Sequence, residues 1–209
     1  MWKASTCWDS KPVNINVLLF DGFETLDAFG PVEMLSRMGQ NAILCCSMEG
    51  GPIKSSHKFD VTTVPVSEID PAGVLLIPGG MATRKLVSDE TFLARLKDFA
   101  QQAEYVLTVC TGSALLAKTG LLDGRRATSN KKALQWVVST SDRVLWQDHA
   151  RWVVDGKYYT SSGVTAGIDM ALGFLSDRYG PEVSETLARN TEYIWNSDST
   201  FDPFAPQED

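Results

Sequence analysis

The sequence predicts an α/β fold, with a mostly parallel central sheet between two layers of helices. Short apolar runs of strand length alternate with segments in which apolar residues recur at helical spacing. The apolar runs carry almost no charge, which is typical of strands that helices cover on both faces. One cysteine, Cys110, falls at a strand-to-helix corner of this pattern and is the most informative residue in the chain.

The first half of the chain alternates between β-branched or aliphatic runs and amphipathic segments. Glycine and proline mark the boundaries of several of these segments. The predicted elements are strand 13–20, helix 26–38 with an early interruption at Gly30-Pro31, strand 42–47, short β pieces within 53–66, strand 74–77, helix 89–103 and strand 106–110.

The second half continues the alternation and adds one clear hairpin. Asp155-Gly156 is a favoured two-residue turn and joins two apolar runs. The predicted elements are helix 111–120, a brief strand 127–129, helix 131–138, the hairpin 152–160, helix 164–179 and helix 181–193.

The length of 209 residues suits a single domain, and 44% hydrophobic and 22% charged residues are ordinary for a globular core. We expect a flexible leader over residues 1–12, one α/β domain over 13–195 and an acidic aromatic tail over 196–209. The tail either packs over a pocket or a partner subunit, or is a loosely attached terminus.

Composition excludes several classes of partner. The net charge is −7 without a compensating basic block, so nucleic acid is not expected as a partner. The chain has no apolar run of about 18 residues and so predicts no membrane span. The first residues lack the apolar core of a signal peptide. The four cysteines lack metal-site spacing, and we expect a reducing, cytoplasmic location.

Cys110 lies between a buried strand and a helix of small residues, with Gly112 two positions later. A sharp turn there points the side chain over the first turn of the helix, where free N–H groups carry partial positive charge. This position predicts a thiol of lowered pKa and a nucleophile elbow. The alternative is a small, inert core residue.

Three predicted strands end at the same edge of the sheet, where ligands of parallel α/β sheets bind. They bring Asp27, the Gly79-Gly80 pair and Cys110 to one rim. Gly79 and Gly80 directly follow a buried strand and could direct N–H groups at an oxyanion, or they could simply form a tight turn.

Asp27 and Thr111 are the polar candidates beside the cysteine. Asp27 stands among apolar residues, which predicts a raised pKa and a part in proton transfer, although a helix N-terminal charge is the alternative. Thr111 could hold a substrate heteroatom or a water, or cap the following helix. His149 as a base for the thiol stays open, whereas Asp169 is interpreted as a first-turn helix charge.

Taken together, these segments resemble the ThiJ/PfpI superfamily, a class I glutamine amidotransferase-like group with a flavodoxin-like, three-layer fold. Within it, Cys-Thr-Gly-Ser and the early Leu-Asp-x-x-Gly-Pro are most similar to the isocyanide hydratases. The residues that carry the resemblance are Leu19-Phe20-Asp21-Gly22 with Leu26-Asp27, Ile77-Pro78-Gly79-Gly80, Val109-Cys110-Thr111-Gly112-Ser113, Gly120–Ser129 and Gly163–Asp169.

The resemblance implies a cysteine-dependent hydratase that converts an isocyanide, a small-molecule substrate, into an N-substituted formamide. In this hypothesis Cys110 attacks the terminal carbon, Asp27 moves protons and activates water, and Thr111 and the backbone near Gly80 hold polar atoms. The family also implies a homodimer, and neither a cofactor nor a metal is needed. One departure stands out, because Asn130 occupies a position at which related sequences commonly have histidine.

Two alternative functions remain compatible with the same residues. The first is a glyoxalase or deglycase that acts on 2-oxoaldehydes through a hemithioacetal at Cys110. The second is an oxidation sensor without catalytic activity, in which a protonated Asp27 and helix N–H groups hold the Cys110 sulfinate.

Overall fold

The computed structural model describes residues 13–37 and 42–206 of the chain. The leader predicted over residues 1–12 lies outside the described residues, as do Met38, where the first predicted helix ends, and the last three residues of the tail.

Eight of the strands form one sheet, and two form a small separate ladder. The large sheet has the order β3-β4-β2-β1-β5-β6-β10-β9, and the small ladder pairs β7 with β8. The strands are β1 (Ile15–Leu18), β2 (Ile43–Ser47), β3 (Gly51–Lys54), β4 (Asp60–Pro65), β5 (Val74–Ile77), β6 (Tyr105–Thr108), β7 (Arg126–Ala127), β8 (Leu145–Trp146), β9 (Trp152–Asp155) and β10 (Tyr158–Ser161).

The centre of the large sheet is parallel, which confirms the predicted fold class. β1 pairs with β2 and β5, and β5, β6 and β10 follow in parallel register, with Leu75 of β5 opposite Val106 of β6. Antiparallel pairing is confined to the two edges, where β3 joins β4 and β9 joins β10. The carboxyl ends of β1, β5, β6 and β10 therefore meet at one edge of the sheet.

Two groups of helices flank the sheet. α6 packs against α1 and α7 in one group, and α4 packs against α2, α3 and α5 in the other. Within the described residues, no helix is long and apolar enough to cross a membrane. The helices are α1 (Thr25–Leu35), α2 (Thr83–Leu86), α3 (Glu90–Gln102), α4 (Gly112–Lys118), α5 (Leu134–Thr140), α6 (Ala166–Tyr179) and α7 (Pro181–Asn190).

The predicted interruption of the first helix is wrong, because α1 runs through Gly30-Pro31. Gly30 permits a close approach of α6, since a Cβ at this position would lie 2.8 Å from Cγ1 of Ile168. Packing of this face against α6 outweighs the poor helix propensity of glycine and proline.

β5 lies in the middle of the core, and all four of its residues are buried. Leu76 is fully buried, whereas Leu44 on β2 is 39% exposed. We expect Leu76→Ala to lower the free energy of unfolding by about 2–5 kcal/mol, because it leaves a cavity that the flanking layers cannot fill. Urea unfolding measures this loss. Leu44→Ala is the matched control, and an equal loss in both variants would contradict the assigned core.

Candidate active site

Cys110 occupies the corner between β6 and α4 with a left-handed backbone, at φ +57°. Non-glycine residues rarely adopt this conformation, which costs on the order of 1–3 kcal/mol unless the surroundings impose it. The side chain is 7% exposed. The position matches the predicted strand-to-helix corner.

Hydrogen bonds on both sides of the residue hold this strained backbone in place. The N–H of Cys110 donates to the carbonyl of Ser162 at 3.0 Å. Its own carbonyl accepts from the hydroxyls of Ser129 at 2.8 Å and Ser113 at 3.1 Å. The conformation of Cys110 thus depends on the turn after β10, on α4 and on the loop after β7.

Four groups surround the thiol itself. The backbone N–H groups of Thr111 and Val164 and the side chain of Asn130 act as donors toward the sulfur and favour its thiolate form. The carboxyl of Asp27 also interacts with the thiol. The sulfur therefore faces three donors and one acid.

The pKa of the Cys110 thiol is raised, contrary to the lowered pKa predicted from its position. Burial raises the pKa to about 12, and the negative charge of Asp27 adds to that rise. The N–H groups of Thr111 and Val164 and the Asn130 side chain oppose the rise without cancelling it. The partial charge at the start of a helix is worth about 0.3–1 kcal/mol, less than the cost of a buried thiolate.

Asp27 has the raised pKa that the sequence predicts. The residue is fully buried on α1, and burial raises the pKa of its carboxyl to about 7. The N–H of Gly79 donates to Oδ2 at 2.9 Å and lowers the pKa, the charge of Glu24 raises it, and the Cys110 thiol lowers it. Oδ1 is buried and lacks a hydrogen bond of normal geometry in the described part of the chain. Asp27 can therefore both take up and release a proton near neutral pH.

The N–H groups of Gly79 and Gly80 both have hydrogen-bond partners within the protein, and their role toward an oxyanion stays a prediction. The Gly79 N–H is bound to Asp27, and the Gly80 N–H donates to Oγ1 of Thr111 at 3.1 Å. A Cβ at Gly79 would lie 2.6 Å from the backbone nitrogen of Thr111 and 2.9 Å from Oδ2 of Asp27. Gly79 instead allows Asp27 and Thr111 to approach each other.

The Thr111 side chain is hydrogen-bonded to the loop after β5. Its hydroxyl accepts from Gly80 and from Oγ1 of Thr83 at 3.1 Å, and it makes no side-chain cap to α4. Only the backbone N–H of Thr111 is directed at the sulfur. The hydroxyl is thus engaged within the protein rather than presented to a ligand.

Two donors to the sulfur were not assigned to the site from the sequence. Asn130 accepts the Ala133 N–H on Oδ1 at 3.0 Å, which leaves its amide Nδ2 as the donor to Cys110. A Cβ at Gly163 would lie 2.5 Å from this Nδ2. Val164 follows with φ +35°, an unusual backbone for a β-branched residue, and supplies the other donor. The Asn130 departure from the family pattern was the available signal for the first donor, and the sequence holds no local signal for the second.

His149 and Asp169 belong to other parts of the structure. Nε2 of His149 lies 3.6 Å from Oδ1 of Asp148, and the residue lines a groove of about 350 Å³ whose lining does not include Cys110 or Asp27. Asp169 lies in the first turn of α6 as expected, yet it is 1% exposed and ion-paired with Arg151. Over residues 13–37 and 42–206, no three His, Cys, Asp or Glu side chains are grouped as a metal site.

This geometry places the chain in a class of α/β proteins with a buried cysteine–carboxyl pair at the carboxyl edge of a parallel sheet. The model of the DJ-1/PfpI family matches residues 13–177, and the chain belongs to this family. The resemblance drawn from the sequence to the ThiJ/PfpI superfamily is therefore confirmed.

Three relatives show how closely the chain matches known members. An isonitrile hydratase from Pseudomonas putida is 32% identical over 182 residues, which are 87% of this chain and 78% of that protein. A deglycase from Thermococcus kodakarensis is 28% identical over 152 residues, 71% of this chain and 89% of that protein. The crystal structure of a ThiJ/PfpI family protein from Pseudomonas syringae superposes with a TM-score of 0.80 at 27% identity, covering 88% of this chain and 76% of that one.

The raised pKa of Asp27 predicts an effect on stability. The ordinary value is 3.8, so between about pH 4 and pH 7 the native chain keeps a proton that the unfolded chain releases. Native stability therefore falls as the pH rises through this window. Asp27→Asn lacks this fall. Between pH 4 and pH 8 its free energy of unfolding is therefore expected to rise relative to that of the parent chain by about 2–4 kcal/mol.

Urea unfolding at pH 4, 6 and 8 measures this difference. The quantity compared is the change in the free energy of unfolding with pH, rather than its value at any one pH. Glu49→Gln removes an exposed carboxyl and controls for the loss of one charge. Parallel pH curves for the parent chain and Asp27→Asn would contradict the raised pKa.

Proposed function

We propose that the protein is a cysteine-dependent hydratase that adds water to a small organic isonitrile and releases an N-substituted formamide. The observation that carries the proposal is the pair formed by the Cys110 thiol and the Asp27 carboxyl. Both acids are buried, and the pKa of Asp27 is raised to about 7. The 32% identity with an isonitrile hydratase over most of both chains supports the same chemistry.

An isonitrile suits this pair because its terminal carbon accepts both a nucleophile and a proton. In the first step the sulfur of Cys110 bonds to that carbon, and the S–H bond breaks. The thiol proton passes by way of Asp27 to the same carbon, and a thioimidate results. No free thiolate has to accumulate, which fits a thiol whose pKa burial raises.

Water completes the reaction in the second step. Asp27, in its ionised form, accepts a proton from water as the oxygen bonds to the thioimidate carbon, and it delivers that proton to the nitrogen. The C–S bond then breaks, the hydroxyl proton returns to Cys110 through Asp27, and the formamide leaves. The sum is one isonitrile and one water consumed for each formamide formed.

Three donors stabilise charge on the sulfur as bonds to it form and break. They are the N–H groups of Thr111 and Val164 and the amide of Asn130. Such fixed donors act without reorganisation in a buried site. Asn130 cannot serve as a base, so the proposal assigns all proton transfer at the reacting atoms to Asp27.

A 2-oxoaldehyde is the second candidate substrate. The similarity to a deglycase from Thermococcus kodakarensis favours it, and the thiol would add to the aldehyde carbon to give a hemithioacetal. Turnover of methylglyoxal without turnover of an isonitrile would decide for this alternative. Loss of both, together with the addition of two oxygens at Cys110 by mild peroxide, would decide for an oxidation sensor.

The decisive test is the turnover of an aryl isonitrile, followed as the appearance of formamide. We expect the parent chain to turn over and Cys110→Ala to lose at least about a thousandfold in kcat, because the bond-forming atom is gone. Cys45→Ala is the matched control and is expected to retain activity, since Cys45 lies on β2. Equal turnover by Cys110→Ala and the parent chain would overturn the proposal.

Asn130→Asp tests the amide donor separately from the helix cap. The carboxylate can still accept the Ala133 N–H, but it no longer donates to the sulfur and it places a second negative charge beside it. We expect kcat/KM to fall by at least about tenfold with little change in the melting temperature. Unchanged kcat/KM would show that the amide does not act on the sulfur.

A further inference from the structure

The turn between β10 and α6 carries one of the donors to the sulfur, and it is strained. Val164 has φ +35°, and its N–H favours the thiolate form of Cys110. A β-branched residue holds such a backbone only when its surroundings over-determine it. The residues on either side of Val164 should therefore be anchored from elsewhere in the fold.

Arg151 anchors both ends of this turn. Its carbonyl accepts the N–H of Ser162 at 2.9 Å, and Ser162 in turn accepts the N–H of Cys110. Nη2 of its guanidinium donates to Oγ1 of Thr165 at 3.4 Å. One residue thus contacts the chain before and after the strained position.

Arg151 is itself fixed by a buried ion pair. Its side chain is 8% exposed, and Nε and Nη2 lie 2.9 Å and 2.7 Å from Oδ2 of Asp169. Nη1 lies 3.6 Å from Oδ1 of Asp202, which is also buried. A planar guanidinium can engage both carboxylates and Thr165 at once, whereas a lysine ammonium cannot.

The segment after α7, residues 193–202, closes over this pair. The hydroxyl of Tyr193 and the N–H of Asn196 donate to Oδ1 of Asp169, at 2.9 Å and 3.1 Å. The N–H of Arg151 donates to the carbonyl of Ser199 at 2.8 Å. This coverage excludes water and satisfies the acceptor of Asp169 that faces away from Arg151.

We propose that Arg151 and Asp169 are positioning residues for the cysteine site. Their ion pair, sealed by residues 193–202, holds the turn of residues 162–165, so that the Ser162 carbonyl keeps the Cys110 N–H and the Val164 N–H stays beside the sulfur. The assignment of a catalytic purpose rests on the proposed function, but the effect on the thiol can be measured without any substrate.

Alkylation of Cys110 by iodoacetamide between pH 8 and pH 10 tests the proposal, with peptide mapping to separate Cys110 from the other cysteines. Below its pKa the thiol reacts in proportion to its thiolate fraction, which the Val164 donor increases. We expect the second-order rate constant to fall by about tenfold in Arg151→Lys and in Asp169→Asn. If the substitutions only made the site more accessible, the rate constant would rise instead, because greater exposure of the thiol speeds alkylation at every pH.

Two further variants make the test decisive. Asp155→Asn breaks the Arg125–Asp155 pair at the other end of β9 and is expected to leave the rate unchanged. Thr165→Val removes only the contact with Arg151, keeps the buried ion pair and is expected to lower the rate. Thr165→Val provides the test of the proposal if Arg151→Lys and Asp169→Asn do not fold.

An unchanged or increased rate in the folded ion-pair variants, or an equal fall in Asp155→Asn, would overturn the proposal. A chain that shows the expected falls but never hydrates an isonitrile would keep these positioning residues and lose only the proposed reaction. The two hypotheses therefore fail separately.

Discussion

The left-handed backbone of Cys110 is the constraint on which the rest of the site depends. A residue at φ +57° between β6 and α4 persists only because its N–H and carbonyl are bound by Ser162, Ser113 and Ser129. Those three serines lie in the turn after β10, in α4 and in the loop after β7, so the corner forms only when these parts of the chain have come together. The strands end at the carboxyl edge of the sheet, and the strained backbone of Cys110 determines the direction of its sulfur at that edge.

The electrostatics of the site follow from enclosing two acids together. Burial raises the pKa of both Cys110 and Asp27, and a negative charge on either one opposes ionisation of the other. The pair therefore favours states with at most one negative charge, and a proton that leaves the sulfur has the carboxyl as its nearest acceptor. This favours substrates that take up a proton as the carbon–sulfur bond forms over substrates that need a preformed thiolate.

The sequence was most informative where local pattern and burial agree. Apolar runs such as β5, with all four residues buried, predicted the parallel sheet, and the turn at Asp155-Gly156 predicted the β9–β10 hairpin. α2 and β8 were missed because four and two residues are too few for a periodic pattern. The site residues on β-strand ends were predictable, since topology brings those ends together. The pKa of Cys110 and the donor at Val164 were not, because both depend on packing between segments remote in sequence.

The close approach of Gly163 to Asn130 couples two positions that are 33 residues apart. A Cβ at Gly163 would lie 2.5 Å from the amide nitrogen that faces the sulfur, so any side chain there must displace that amide. Substitutions at 163 therefore act on the thiol through position 130, and the two sites are expected to show strong epistasis.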